Sequence, residues 1–171
     1  VMKEFLTDFT EEELKSCIAK AYDSKFDTEE IAPLAKVEDA YYLELFHGRT
    51  LAFKDMALSI LPYLMKTAAK RQGQKEEIVI LTATSGDTGK AALEGFAGVD
   101  GVKIMVFFPE DGVSPVQKLQ MTTQEGDNTC VVGIKGNFDD AQSAVKRIFT
   151  DKELADELEK RGYRFSSPNS I

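Results

Sequence analysis

The hydrophobic positions of the chain take two forms that alternate along its second half: short unbroken apolar runs, and longer stretches with helical spacing. The unbroken runs are rich in β-branched residues and predict strands at 78–83, 102–108, 129–134 and 163–165. The intervening stretches predict helices at 90–96, 115–122, 138–149 and 152–160. Strands separated by helices of this length form βαβ units, so we expect an α/β fold: a three-layer parallel sheet with helices on both faces.

The first half of the chain is less regular. Thr10 and Glu13 have the spacing of a capping box and predict the start of an amphipathic helix at 10–22. The apolar stripe of that helix comprises Leu14, Cys17, Ile18 and Ala21. The further predicted elements are a loop at 27–36, a strand at 41–46 and a helix at 56–71. The last of these is apolar nearly all round, so we expect it to be buried on several sides and kinked at Pro62.

Composition and charge narrow the class of protein. The chain has 171 residues and a formal net charge of −8, which argues against a nucleic-acid partner, because binding a phosphate backbone draws on clustered cations. No apolar run approaches the roughly 20 residues that span a bilayer, and no secretory signal opens the chain. We therefore expect a cytoplasmic protein without membrane contact.

Three side chains bear on redox and metal chemistry. Cys17 and Cys130 lack the spacing of metal ligands and are expected to be two buried thiols in a reducing compartment. The single histidine, His47, excludes a multi-histidine metal site, and we expect no metal.

Because the chain opens at Val1 and stops at Ile171 straight after a strand-like segment, we expect it to be a piece of a longer protein.

The first candidate for chemistry is the segment 46–55, which reads Phe-His-Gly-Arg-Thr-Leu-Ala-Phe-Lys-Asp. It places Lys54 at the start of a helix, between Phe53 and Asp55. The positive end of the helix dipole and apolar neighbours disfavour an ammonium there, which makes the neutral amine easier to reach. A lysine in that setting suits imine formation with an aldehyde cofactor. On position alone, a solvated surface lysine is the favoured alternative.

The second candidate is the turn 84–89, which reads Thr-Ser-Gly-Asp-Thr-Gly between a buried strand and a helix. Small residues allow a ligand to approach closely, and the N–H groups and hydroxyls at the carboxyl end of a parallel strand suit an anion. The alternative, which spacing alone favours, is an ordinary βα turn whose aspartate or threonine caps the helix.

Both segments resemble the threonine synthase family. Residues 47–55 match its lysine segment, His-Gly-Pro-Thr-x-Ala-Phe-Lys-Asp, with Arg49 in the proline position as the only departure, and residues 84–89 are similar to its Ser-Gly-Asp-Thr-Gly loop. The resemblance implies a truncated fold-type-II, tryptophan synthase β-like, pyridoxal-phosphate enzyme. It implies part of the large domain at 1–74, a small parallel α/β domain at 75–165 and the return to the large domain at 166–171.

The resemblance also assigns roles to residues. It implies that Lys54 bonds to the aldehyde of pyridoxal 5'-phosphate, that Phe53 belongs to the cofactor site and that Asp87 lies near the ring hydroxyl. The substrate's α-carboxylate is expected on the turn, at Thr84, Ser85, Gly86, Thr88 and Gly89. Ser114 and Gln117 open a helix similar to the family's Ser-Pro-x-Gln helix, which is expected to help bind the substrate phosphate; a capped surface helix is an equal alternative.

Phosphate binding is otherwise incomplete within the chain. The glycine-rich loop that holds the cofactor phosphate in the family lies beyond residue 171, so we expect the chain alone to have little activity. Arg49, Lys118 or the missing half would supply the cation for the substrate phosphate. His47 could contact cofactor phosphate or a neighbouring backbone, but the favoured alternative is a hydrogen-bonded structural histidine. The segment 136–140 is interpreted as a helix cap, because its two aspartates would repel an anion.

The function implied by the resemblance is conversion of O-phospho-L-homoserine and water to L-threonine and phosphate. A serine/threonine dehydratase or a threonine-synthase-like phospholyase is the alternative within the same fold. A non-catalytic flavodoxin-like domain that binds a phosphorylated ligand is the alternative of another class.

Overall fold

The computed structural model describes residues 1–168. Its helices are α1 (Met2–Phe5), α2 (Glu11–Ala21), α3 (Asp55–Leu58), α4 (Leu61–Arg71), α5 (Asp87–Phe96), α6 (Pro115–Thr122), α7 (Phe138–Thr150) and α8 (Lys152–Lys160). Its strands are β1 (Leu34–Val37), β2 (Ala40–Leu43), β3 (Glu77–Ala83), β4 (Val102–Pro109), β5 (Thr129–Ile134) and β6 (Tyr163–Ser166). No helix within residues 1–168 is long and apolar enough to cross a membrane.

The second half of the chain forms a four-stranded parallel sheet in the order β5-β4-β3-β6. Successive residues of β3 face opposite sides, as in any strand. Ile78 and Ile80 pack with α5 on one face, while Leu81 and Ala83 pack with α7 on the other. The predicted three-layer parallel architecture is therefore confirmed.

The larger of the two sheet-face clusters includes the fully buried side chains of Phe96, Leu93, Ile80 and Ile104. Burying an apolar side chain of this size contributes about 1.5–3 kcal/mol, so this face dominates the stability of the sheet. Leu58 of α3 belongs to the same cluster. The helices that follow residue 54 are therefore packed onto the sheet through α5.

The predicted helix 56–71 is instead two helices, α3 and α4. Pro62 lies in the first turn of α4, where a missing N–H costs nothing, so the proline marks a new helix start rather than a kink. The expected burial on several sides holds only in part: Pro62 is the only fully buried residue of α4, but half-buried side chains of this helix pack against two different core clusters.

A hairpin takes in the end of the predicted loop 27–36 and the first half of the predicted strand 41–46. Strands β1 and β2 pair antiparallel with Leu34 opposite Leu43, around a turn in which Glu38 has a φ of 52°. Residues 44–46 have no regular structure. The aromatic and aliphatic side chains of this hairpin are largely exposed.

The two cysteines differ, contrary to the expectation that both are buried. Cys17 is 3% exposed on α2, with its Sγ 3.5 Å from Oγ1 of Thr67. Cys130 is exposed because β5 is an edge strand of the sheet. The predicted stripe of α2 is likewise incomplete, since Ile18 remains 40% exposed.

Candidate active site at the Lys54 cleft

The loop that carries Lys54 is organised by a buried carboxylate. Asp55 is 3% exposed and accepts hydrogen bonds from the backbone N–H of Thr50 at 2.8 Å and its hydroxyl at 2.6 Å. A Cβ on Gly48 would lie 2.5 Å from the Asp55 carboxylate, so only glycine fits there. The carboxylate that the sequence places beside Lys54 is thus engaged by Thr50, and it fixes the shape of the loop.

Lys54 itself is half-buried at the N-cap position of α3, the helix start that the sequence predicts. Its Nζ lies 4.9 Å from the centroid of the Phe53 ring. Phe53 is 59% exposed, so the amine is flanked by an aromatic face on one side and remains reachable from the other.

The turn at 84–86 is held by a buried hydroxyl. Oγ1 of Thr84 accepts hydrogen bonds from the N–H groups of Gly86 and Gly89, both at 2.9 Å. Gly86 has a φ of 138°, and a Cβ there would lie 2.4 Å from the Gln117 side chain. Because these bonds satisfy the first turn, α5 begins at Asp87 rather than at the predicted residue 90.

The residues predicted to bind the substrate's α-carboxylate differ in how far their side chains are exposed. The Thr84 side chain is buried beneath the turn and is used in its internal hydrogen bonds. Ser85 is exposed, and its hydroxyl has no partner among residues 1–168. Thr88 is half-buried in the first turn of α5. The hydroxyls that an incoming anion can reach are therefore those of Ser85 and Thr88.

The lysine loop and the turn meet at one cleft of about 420 Å³. Its lining residues are Phe53, Lys54, Ala57, Leu58, Thr88, Gln142 and Pro168. The structure thus brings together Lys54 and the helix start of the Ser-Gly-Asp-Thr-Gly segment, which are separated by more than thirty residues in sequence.

The carboxylate of Asp87 lies beside this cleft. The Gln117 side-chain amide donates to it at 2.9 Å, and Nζ of Lys90 is 3.3 Å away. The Gln117 hydrogen bond, then Lys90, and then the charge of Lys54 hold the pKa of Asp87 below its ordinary value. Asp87 is therefore an anion at neutral pH, within the electrostatic reach of Lys54.

Ser114 and Gln117 form a capping box at the start of α6. The Ser114 hydroxyl accepts from the Gln117 N–H at 3.2 Å, and the Gln117 side chain accepts from the Ser114 N–H at 3.1 Å. Because Gln117 also donates to Asp87, the start of α6 is joined to the turn.

These motifs agree with a comparison against known protein families. The sequence model described as "Pyridoxal-phosphate dependent enzyme" matches residues 27–169. The chain belongs to this family. The match includes both the lysine loop and the turn.

Relatives with known names are similar over most of the chain. It is 41% identical to threonine synthase of Pseudomonas aeruginosa, over 100% of this chain and 35% of that protein. It is 38% identical to human "Threonine synthase-like 1", over 92% of this chain and 22% of that protein. The chain therefore spans about a third or less of the length of these relatives.

The fold agrees with a solved structure. Pyridoxal-phosphate-bound threonine synthase from Brucella melitensis superposes with a TM-score of 0.82 at 41% identity, covering 94% of this chain and 33% of that one. The predicted fold-type-II assignment is confirmed.

The residues of the cleft fit the cofactor of this pyridoxal-phosphate family. Lys54 offers a primary amine to an aldehyde, Phe53 an aromatic face to a planar ring, and Asp87 an anion. No group of three or more histidine, cysteine or acidic side chains within residues 1–168 is placed to hold a metal ion.

The predicted phosphate cations are engaged elsewhere. Nε of Arg49 lies 3.5 Å from the carboxylate of Glu94, and Nζ of Lys118 donates to the backbone carbonyl of Glu110 at 3.4 Å. The segment 136–140 forms the predicted cap, since Asn137 and the residue three positions on make a capping box.

His47 is held by two carboxylates. Its Nδ1 lies 2.5 Å from Asp27 and its Nε2 2.8 Å from Glu44. The hydrogen bond to Glu44, followed by that to Asp27, raises the pKa of His47 above its ordinary value. Both ring nitrogens are occupied by carboxylates, as expected for a hydrogen-bonded structural histidine.

One residue of the site was missed by sequence reasoning. Lys90 is only 9% exposed, and its Nζ donates to the backbone carbonyl of Thr50 at 3.2 Å. Nothing in the sequence distinguishes it from a surface lysine of a helix, because its burial depends on a loop forty residues earlier lying across α5.

Proposed function

We propose that the protein containing this chain is a threonine synthase, converting O-phospho-L-homoserine and water to L-threonine and phosphate in the cytoplasm. The observation that carries the proposal is that Lys54 and Thr88, a residue of the 84–89 turn, line one cleft in a chain that belongs to the pyridoxal-phosphate family. The 41% identity to threonine synthase of Pseudomonas aeruginosa supports the choice of reaction within that family.

When bound, pyridoxal phosphate supplies an electron sink for the charge that develops on substrate carbon. The amine of Lys54 would hold the cofactor through its aldehyde and, when free, would move protons among the α, β and γ carbons of the substrate. The Phe53 ring beside the amine shields it from water on one side. A lysine on the loop fixed by Asp55 holds its position between these steps.

The turn binds the substrate. Ser85 and Thr88 donate their hydroxyls to the α-carboxylate, aided by the N–H groups and positive dipole at the start of α5. Gly86 and Gly89 allow close approach, and the buried Thr84 keeps the turn in shape. This division refines the predicted role of Thr84, which acts through the turn rather than by contact.

The remaining predicted residues complete the site. Asp87 lies near the cofactor ring hydroxyl, and Gln117 orients its carboxylate. The start of α6 at Ser114 faces substrate phosphate. The division into large-domain residues 1–74 and a small domain at 75–165 remains our prediction, with the tight packing of α3 on α5 as the contact between the two parts.

The test is made on the intact protein with O-phospho-L-homoserine. We expect equimolar threonine and phosphate, together with an absorbance from the cofactor-lysine bond. Lys54→Ala should abolish that absorbance and lower turnover by about 10²–10⁴-fold or more, as for loss of an acid–base group. Lys70→Ala, which removes an exposed lysine of α4, serves as the control. Turnover and absorbance that persist in Lys54→Ala would contradict the proposal.

A serine/threonine dehydratase is the second candidate. It is favoured by one observation: Arg49 and Lys118, the two predicted phosphate cations, are engaged by Glu94 and by the Glu110 carbonyl. Formation of 2-oxobutyrate from threonine, without phosphate release from O-phospho-L-homoserine, would identify the dehydratase. Formation of both 2-oxobutyrate and phosphate from O-phospho-L-homoserine would identify a phospholyase.

The non-catalytic alternative, a flavodoxin-like binding domain, is not retained, because the family match includes the lysine segment.

A further inference from the structure

We infer that Lys90 is a positioning residue, which holds the Lys54-bearing loop against the 84–89 turn and so sets the place of the Lys54 amine relative to Asp87. The inference rests on the proposed role of Lys54. It assigns a function to a buried lysine that touches neither the cofactor nor the substrate in that proposal.

The burial of Lys90 requires an explanation. It is 9% exposed and lies in the first turns of α5, near the positive end of the helix dipole. Both desolvation and the dipole oppose an ammonium at that place. Its two partners, the Asp87 carboxylate at 3.3 Å and the Thr50 carbonyl at 3.2 Å, offset this cost. The Lys90 ammonium therefore depends on Asp87 and Thr50 to remain buried at this helix start.

Thr50, the partner of Lys90 on the loop, has its N–H, hydroxyl and carbonyl groups all hydrogen-bonded. Asp55 binds the N–H and the hydroxyl of Thr50, and Lys90 binds its carbonyl. Thr50 is 6% exposed and precedes Lys54 by four residues. Of these three hydrogen bonds, only that of Lys90 joins the loop to α5, and it acts beside the packing of Leu58 on the same helix.

The partner of Lys90 on the turn, Asp87, lies within the electrostatic reach of the Lys54 amine. Asp87 is bound by Gln117 and Lys90, and it senses the charge of Lys54. Lys90 therefore contacts the Lys54 loop through a hydrogen bond to Thr50 and the turn through an ion pair with Asp87. Its hydrogen bond to Thr50, at 3.2 Å, is shorter than the 3.5 Å ion pair of Arg49 with Glu94, which also joins the loop to α5.

A second connection is weaker. Arg49 and Glu94 join the same loop to α5 one turn further along, at 3.5 Å. The Arg49 side chain is 56% exposed, and exposed ion pairs contribute little. Arg49 cannot replace Lys90 as the main contact.

The experiment uses the intact protein without cofactor, and two measurements other than activity. Pyridoxal phosphate is added and trapped by borohydride, and its incorporation at Lys54 is measured by peptide mass spectrometry over time. Hydrogen exchange is followed in the peptide 49–56. The variants are Lys90→Met, which loses every donor, and Lys90→Gln, which keeps an N–H for the Thr50 carbonyl. Lys66→Met, which breaks an exposed pair with Asp100, is the control.

We expect Lys90→Met to raise exchange in 49–56 by about tenfold, as for a lost hydrogen bond from a charged donor, and to slow trapping at Lys54 several-fold. Lys90→Gln should recover part of both, and Lys66→Met should match the natural protein. Exchange in β3 and β4 should not change in any variant, which separates loss of the contact from general unfolding.

Two results would overturn the inference: unchanged exchange and trapping in Lys90→Met, or equal losses in the Met and Gln variants accompanied by faster exchange in β3 and β4. A failure of the proposed function is distinguishable from both. In that case the natural protein is not trapped at Lys54 at all, while exchange in 49–56 still tests the contact.

Discussion

The two walls of the cleft, the Lys54 loop (46–55) and the 84–89 turn, are held in place by different interactions. The Lys54 loop is held by two charged groups: Asp55, which binds Thr50 within the same segment, and Lys90 of α5, which binds the Thr50 carbonyl. The turn is held by a neutral hydroxyl, Thr84, and by glycines with no room for a side chain. The loop should therefore respond to changes of charge, and the turn to changes of volume.

Removal of the Asp55 carboxylate should have the largest effect. Asp55→Ala leaves the buried N–H and hydroxyl of Thr50 without an acceptor, and should lower the free energy of unfolding by about 3 kcal/mol. Urea denaturation measures this value. Asp55→Asn keeps one acceptor oxygen and should lose less. A loss below about 1 kcal/mol in the alanine variant would mean that the loop does not depend on this carboxylate.

Added volume in the turn should have the next largest effect. A Cβ on Gly89 would lie 2.4 Å from Cγ2 of Thr84 and 2.9 Å from Cγ1 of Val106. Overpacking of this kind costs about 1–3 kcal/mol, so Gly89→Ala should lower the free energy of unfolding by about 2 kcal/mol in the same assay.

The matched control is Gly73→Ala. Gly73 has a φ of +68° and nothing within 4 Å of an added Cβ, so this variant shows the cost of left-handed backbone alone, about 1 kcal/mol. Gly89 is not in that conformation, so its loss arises from crowding. Equal or smaller loss in Gly89→Ala would contradict a volume-limited turn.

Loss of the Thr84 hydroxyl should have a smaller effect. Thr84→Val is nearly isosteric but leaves the N–H groups of Gly86 and Gly89 without their acceptor, at a cost of about 1–2 kcal/mol. Thr84→Ser keeps the oxygen and should retain most of the stability. Thermal unfolding followed by circular dichroism distinguishes the two, and similar losses in both would show that the methyl group matters more than the hydroxyl.

The same contrast explains how far the sequence predicts the structure. The parallel sheet is predictable because unbroken β-branched runs such as 78–83, which the structure reproduces within β3, mark buried strands. The helix starts at Thr10, Asn137 and Asp151 are predictable because their caps are local.

What depends on distant pairing is not predictable in this way. The β1–β2 hairpin arises from pairing across a left-handed residue, Glu38, that no local signal marks. In the cleft, the sequence identifies Lys54 and the 84–89 turn, but not Lys90 or the buried role of Thr84. Those depend on which side chains the folded loop covers.

A pH-dependent contribution from His47 should be the smallest effect, and it belongs to the lysine loop alone. The carboxylates of Glu44 and Asp27 raise the pKa of His47 above the value of about 6.5 expected in the unfolded chain. Its contribution to stability is therefore fully present below pH 6.5 and is lost as the pH rises through the raised pKa of the folded state. His47→Gln should lower the free energy of unfolding more at pH 6 than at pH 9, as measured by urea denaturation at both values.

The turn supplies the control for this last measurement. The Thr84 hydroxyl does not titrate between pH 6 and pH 9, so the loss caused by Thr84→Val should be the same at both values. A pH-independent loss in His47→Gln would mean that neutral hydrogen bonds, rather than charge, join His47 to Asp27 and Glu44. The lysine loop would then be held partly as the turn is, by neutral hydrogen bonds, and the contrast between the two walls would hold only for Asp55 and Lys90.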